Sequence, residues 1–419
     1  MTLLILFVAF LLLNTSIRSY LALRQMRYVR LHRDQVPNDF SHHISLHSHQ
    51  RAADYTVART QLSLFETLSE TTVLIALTLL GGLQFIDLFW ARHIEHELLR
   101  QLLLIASIFA LTALVQLPFS VWRTFKLEQR FGFNRITPKL FISDQLKGIL
   151  VGVLLGTPLL CAVLWLMATA GSYWPWWAWV IWIGFSLFVM WLFPSVIAPL
   201  FNQFKPLDSD SLKSRIQSLA ERCGFTLNGL FVMDGSKRSA HGNAYFTGIG
   251  RHKRIVFFDT LLSKLNEAEI EAVLAHELGH FAHRHILKSM LRSFALSLIF
   301  FLLLGWLSQQ VWFYTELGVN PQLGRANDGL ALILFFLVIP TFTFWVGPLF
   351  SYLSRKHEYE ADAYAAKQSD PKHLVQALLK LYDDNAATLT PDPLYSAYYD
   401  SHPAAIQRVH YLKQFYETH

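Results

Sequence analysis

The chain has 419 residues, 53% of them hydrophobic, and a mean hydropathy of +0.31. These values exclude an ordinary soluble enzyme of one or two domains and place the protein in a membrane. The formal net charge is +6 and only Cys161 and Cys223 are present, so a disulfide framework is excluded and any metal ligands must be histidines or carboxylates.

Seven stretches are long enough to cross about 30 Å of hydrocarbon as helices. They run approximately over 2 to 19, 71 to 90, 101 to 122, 148 to 170, 174 to 200, 287 to 313 and 329 to 351. The first begins Met1-Thr2-Leu3-Leu4 without a basic stretch, and no small-residue cleavage site precedes the arginines after it, so it reads as a retained anchor and not a secretory signal. The segment between spans one and two carries Arg18, Arg24, Arg27, Arg30, Arg33, Arg51 and Arg59, and the segment between spans three and four carries Arg123, Lys126, Arg130, Arg135, Lys139 and Lys147. The intervening connections hold only Arg92 and Arg100, then no basic residue, then Arg325. This alternation predicts an N-terminus outside and a cytosolic C-terminus. It divides the chain into a membrane region over 1 to 200, a cytosolic insertion over 201 to 286, two further spans over 287 to 351 and a cytosolic segment over 352 to 419. Topology and attraction to anionic lipid account for the positive charge, which gives no warrant for nucleic acid.

Within the first basic segment, Ser41 to His49 holds His42, His43, His47 and His49. These could bind a metal, but the loop has no carboxylate pattern to orient them. Further on, Leu212 to Cys223 has helical periodicity and Leu230-Phe231-Val232-Met233 ends at the turn Asp234-Gly235. Asn243-Ala244-Tyr245-Phe246-Thr247 and Arg254-Ile255-Val256-Phe257-Phe258, separated by Gly248 to Lys253, read as a hairpin. Such a strand pair either covers the helix that follows or offers a sheet edge to a peptide.

That helix carries His276-Glu277-Leu278-Gly279-His280. Asn266 with Glu269 three residues later reads as a capping box, and Ile270, Val273 and Leu274 recur at helical spacing. Histidines four apart share a helical face and can hold one ion, and the glutamate between them can reach a water on that ion. A catalytic zinc takes three protein ligands, so a third is needed. Ser354 to Ala363 supplies candidates: on a helix Glu358 and Asp362 share a face, so that one can coordinate the ion while the other orients a ligating imidazole, and His357 and Glu360 point elsewhere.

These residues resemble the integral-membrane zinc endoproteases of CAAX prenyl-protein processing. The likeness also rests on Ser236 to Phe246, Lys253-Arg254-Ile255-Val256, Leu117-Pro118-Phe119-Ser120, Phe131-Gly132-Phe133-Asn134 and Ser401-His402-Pro403, and it covers essentially the whole chain. It implies a mainly α-helical polytopic fold in which seven transmembrane helices form a barrel around a chamber, closed by a cytosolic α/β metalloprotease domain. It further implies that His276, His280 and Glu358 hold one Zn2+ per chain and that Glu277 is the catalytic base. Asn243, Ala244, Tyr245 and Phe246 would line the substrate, and His402 and Arg408 would reach into the active site, with Asp362 behind the ligands.

The expected function is therefore hydrolysis of peptide bonds near the C-terminus of prenylated or membrane-associated substrates by a monomer facing the cytosol. The sequence carries no recognisable prenyl pocket and no endoplasmic reticulum retrieval signal. A quality-control protease without a prenyl requirement, by analogy with the heat-shock-induced membrane zinc proteases, is the alternative. A transporter or scaffold with structural zinc is more remote, because structural sites tend to be closed cages of four ligands.

Overall fold

Apolar runs become helices here because hydrocarbon offers no partner for an open backbone. In the computed structural model, which describes residues 1–247 and 252–416, with only the backbone of Phe246, Thr247, His252 and Lys253, six helices are long and apolar enough to cross a membrane. They are built on α1 (Thr2–Leu31), α4 (Glu97–Trp122), α5 (Pro138–Thr169), α6 (Trp174–Leu192), α9 (His285–Leu307) and α10 (Asp328–Thr343), the last of which runs through a single 3-10 turn into α11 (Gly347–Gln368). The apolar stretch of α6 is 0% buried within the protein, and Trp176, Trp177, Trp182 and Trp191 are exposed on it.

A seventh crossing exists only as a bent pair. Helices α2 (Leu46–Leu77) and α3 (Gly82–His93) meet at 52°, where the sequence predicts a span from 71 to 90. The chain turns at Gly81, with φ of 77°, and Gly318 approaches so closely that a Cβ there would lie 2.1 Å from the Thr78 carbonyl oxygen. The helix also starts well before the apolar run. Its polar first half packs along α1 and buries His49, Ala52, Ala53 and Tyr55, so tertiary contacts stabilise a helix that hydropathy alone does not mark.

The four histidines of the 42 to 49 tract do not converge. His42, His43 and His47 are exposed, and His49 is turned inward with Nε2 2.8 Å from the His32 carbonyl oxygen.

The polar segments share one core. After β1 (Phe204–Pro206), α7 (Asp210–Arg222), β2 (Thr226–Met233), β3 (Ala244–Thr247) and β4 (His252–Phe258), the sheet has the order β1-β2-β4-β3. β2 and β4 are parallel, and β3 pairs antiparallel with β4, Tyr245 opposite Val256, so the expected hairpin strands are present and β3 is an edge. The turn expected over Gly248 to Lys253 lies, from Gly248 to Arg251, outside the described residues. Ile216, Leu219, Ile255 and Phe257 of this layer pack with Ile270, Leu274 and Leu278 of α8 (Glu267–Ala282). The same core takes Leu374 from α12 (Pro371–Asp384) and Val409 from the helix Ala405–Lys413, which joins distant segments around α8.

Candidate metal centre

Helix α8 starts where the sequence predicts. The Asn266 side chain accepts from the Glu269 backbone N–H at 2.9 Å, and the Glu269 carboxylate accepts from the Asn266 N–H at 2.8 Å. Glu269 is buried, with Lys380 at 2.7 Å. With its first turn fixed, one face of α8 turns His276 and His280 toward α11, and Gly279 lets the two backbones meet: a Cβ there would lie 2.9 Å from the Ala361 Cα.

Three donor groups converge at that contact. His276 Nε2 and His280 Nε2 are 3.3 Å apart, and they lie 3.5 Å and 3.4 Å from the two Glu358 carboxylate oxygens. Glu358 is 4% exposed, and its Oε2 is buried without a hydrogen-bond partner. Two imidazole nitrogens and an orphaned carboxylate oxygen facing one point are costly unless a cation sits among them. Two nitrogens and one oxygen are also a donor set that a catalytic zinc accepts. The residues therefore fit a metal ion.

The surroundings orient the donors. His276 Nδ1 is 2.8 Å from Asp362 Oδ1, which fixes the ring so that Nε2 faces the centre. Asp362 is fully buried and receives two bonds from Arg408, Nε to Oδ2 at 2.9 Å and Nη2 to Oδ1 at 2.6 Å. Arg408 is itself 5% exposed. Its guanidinium thus binds the carboxylate that holds His276 through Nε and Nη2, and its Nη1 reaches to 3.6 Å from Glu358 Oε2. Burial alone would push the His276 imidazolium down, but its bonds to Asp362 and Glu358 outweigh that and raise it to about 9 while no metal competes.

Glu277 lies with His280 on the wall of a cavity of about 580 Å3 that Ala244, Tyr245, His285 and His357 also line. Asn243 is exposed just before β3, and the side chain of Phe246 lies outside the described residues. The His402 side chain is 62% exposed, with its Nε2 3.5 Å from Glu358 Oε1. Sequence reasoning missed the close approach at Gly279 and the clamp of Arg408 on Asp362. The only signal for either was the presence of a glycine between the two histidines and an arginine six residues after His402.

Comparison with known proteins identifies the family. Residues 25–203 match the family described as CAAX prenyl protease N-terminal, five membrane helices, and residues 206–415 match peptidase family M48. CAAX prenyl protease 1 of Saccharomyces cerevisiae is 33% identical over 94% of this chain and 91% of its own length. The Homo sapiens homolog is 30% identical over 94% of this chain and 92% of its own. The crystal structure of S. mikatae Ste24p superposes with a TM-score of 0.90 at 32% identity, covering 98% of both chains.

Proposed function

The chain belongs to the CAAX prenyl proteases of peptidase family M48, and from that membership we propose that His276, His280 and Glu358 hold a zinc ion and that Glu277 is the catalytic base. The protein is an integral multi-pass membrane metalloendopeptidase. The observation that carries the ligand assignment is the buried Glu358 carboxylate, whose Oε2 has no hydrogen-bond partner among the described residues and whose two oxygens face His276 Nε2 and His280 Nε2 in turn.

Zinc in that position would supply a Lewis acid for the scissile carbonyl and lower the pKa of a coordinated water. Glu277 accepts the proton of the attacking water and passes it to the departing amine, a role commonly worth about 10²- to 10⁴-fold in rate. Ala244 and Tyr245 lie on the cavity wall it shares, and their strand is a sheet edge. An extended peptide pairs with that edge, with Asn243 and Phe246 continuing the contact, so that the scissile bond crosses the centre. His402 donates to the oxyanion, an effect of about 3 kcal/mol for such a donor. Arg408 acts through Asp362 as a positioning residue for His276. The alternation of basic loops supports a cytosolic position for this site.

The substrates are proteins presented at the membrane with a prenylated C-terminus, the chemistry that the relatives' names state. A cleavage assay on one peptide with and without its prenyl group tests this. Faster cleavage of the prenylated form is expected, and equal rates would favour quality-control proteolysis instead.

A further inference from the structure

A second cluster of metal-ligating side chains lies just beyond the first. Helix α8 ends at Ala282, and the chain turns at Arg284, whose φ of 55° lies in the left-handed region, before α9 opens with His285. A non-glycine residue is rarely held there without a reason in the surrounding structure. The turn sets the His283 and His285 rings 5.5 Å apart and nearly parallel, with Glu360 of α11 beside them. One donor atom from each of His283, His285 and Glu360 lies within 4.8 Å of the other two.

The central member is held firmly. His285 is 3% exposed, and its ring stacks on His357 at 4.0 Å and 9°. Its Nδ1 is 3.0 Å from His280 Nδ1, and its Nε2 is 2.8 Å from Glu360 Oε2. If His280 gives Nε2 to the first ion, its Nδ1 carries a proton and donates to His285 Nδ1. His285 then presents Nε2–H to Glu360. Replacing that single proton with a divalent cation leaves His285 as an imidazolate held between the His280 N–H and the ion, with a Glu360 oxygen and a His283 nitrogen as the other two ligands. The displaced proton leaves to solvent. His283 is exposed and Glu360 half-buried, so an ion has a path in.

We infer that His283, His285 and Glu360 form a second divalent metal site, joined to the first through the His280 to His285 hydrogen bond. Two imidazoles and one carboxylate select zinc, cobalt(II) or nickel(II) over calcium or magnesium. Among the described residues no carboxylate orients His283 as Asp362 orients His276, and His285 gives up its last ring proton, so the second ion binds at least roughly 10- to 100-fold more weakly than the first. His285 also lines the cavity that Glu277 lines. An ion on it adds positive charge beside His280 and narrows the space for the peptide, so filling the second site lowers proteolysis. Such a site would make the enzyme self-limiting at high metal.

The test uses the full-length protein in detergent, stripped with a chelator and titrated with zinc, with bound metal per chain read by equilibrium dialysis and mass spectrometry. Wild type is expected to bind one ion tightly and a second weakly, with activity rising and then falling across the titration. His283→Ala and Glu360→Gln, both at accessible positions, should bind only the tight ion, keep their activity at low metal and lose the inhibition at high metal. Glu358→Gln should lose the tight ion and keep the weak one, so failure of the first-site assignment is distinguishable from failure of this one. A single ion in wild type, or a weak ion and an inhibition that persist unchanged in both variants, would overturn the proposal.

Discussion

Glycine does opposite things in the two halves of the molecule. Between α8 and α11, Gly279 lets one backbone come so near another that an added Cβ would lie 2.9 Å from the Ala361 Cα and 3.1 Å from its carbonyl oxygen. Along α5 and α6, Gly148, Gly152, Gly156 and Gly184 would accept a Cβ with nothing within 4 Å. The first contact sets two imidazoles against Glu358, whereas the second group lies on open helix surface. Close packing is found where ligand geometry must hold to a fraction of an ångström, and these faces of α5 and α6 carry no such demand. The division is not absolute, since Gly305 and Gly329 approach Pro175 and Gln101 closely.

The largest effect expected on the tightly packed side is chemical. Glu277→Gln should lower kcat by about 10²- to 10⁴-fold with metal content unchanged, measured as turnover and bound metal on the same sample. A loss of metal in that variant would instead make Glu277 part of the ligand set.

The metal-free protein should show the next effect in its stability. His276 is raised from its ordinary value near 6.5 to about 9 by Asp362 and Glu358, against the opposing pull of burial. A raised imidazole stabilises the fold fully below the unfolded pKa, and that contribution fades as pH climbs through the folded one. The melting temperature of stripped protein should therefore fall between about pH 6.5 and pH 9, a loss on the order of 3 kcal/mol. Metal-loaded protein should move the other way at the acid end, where protons compete for the ligands. A flat profile for the stripped protein would separate His276 from Asp362 and Glu358.

Weakening the support behind a ligand comes third. Asp362→Asn should cost about 10- to 100-fold in metal affinity while leaving kcat at saturating metal closer to wild type, because the carboxylate orients His276 without touching substrate. A matched fall in kcat would put Asp362 in the chemistry.

The glycine pair tests the comparison itself and carries the smallest effects. Gly279→Ala should destabilise by about 1–3 kcal/mol and loosen metal binding, as overpacking between fixed backbones does. Gly152→Ala, in open surroundings on a helix, should stay within about 0.5 kcal/mol of wild type. Similar melting shifts for the two would erase the distinction between the regions.

Much of the site was legible because its parts are local and helical. The capping box at Asn266, the spacing of His276 and His280, and the shared face of Glu358 and Asp362 all follow from a repeat of 3.6 residues. The hairpin strands were readable from alternation and β-branched content. What the sequence hid depends on contacts between distant segments. Arg408 finds Asp362 across 46 positions, which no local pattern announces. The early start of α2 depends on burial against α1, and its break at Gly81 on the approach of Gly318. His283, His285 and Glu360 meet only because Arg284 takes a left-handed conformation and α11 packs against the turn. His357 and Glu360, expected to point elsewhere than the Glu358 face, both meet His285.

The central claim is that the carboxylate of Glu358 completes the catalytic metal site. The direct measurement is tightly bound zinc per chain, taken with peptide cleavage, for purified wild type and Glu358→Ala at low metal. One tight ion with cleavage in wild type, and loss of both in the variant, is the predicted result; a variant that kept its tight ion and still cut the peptide would contradict it.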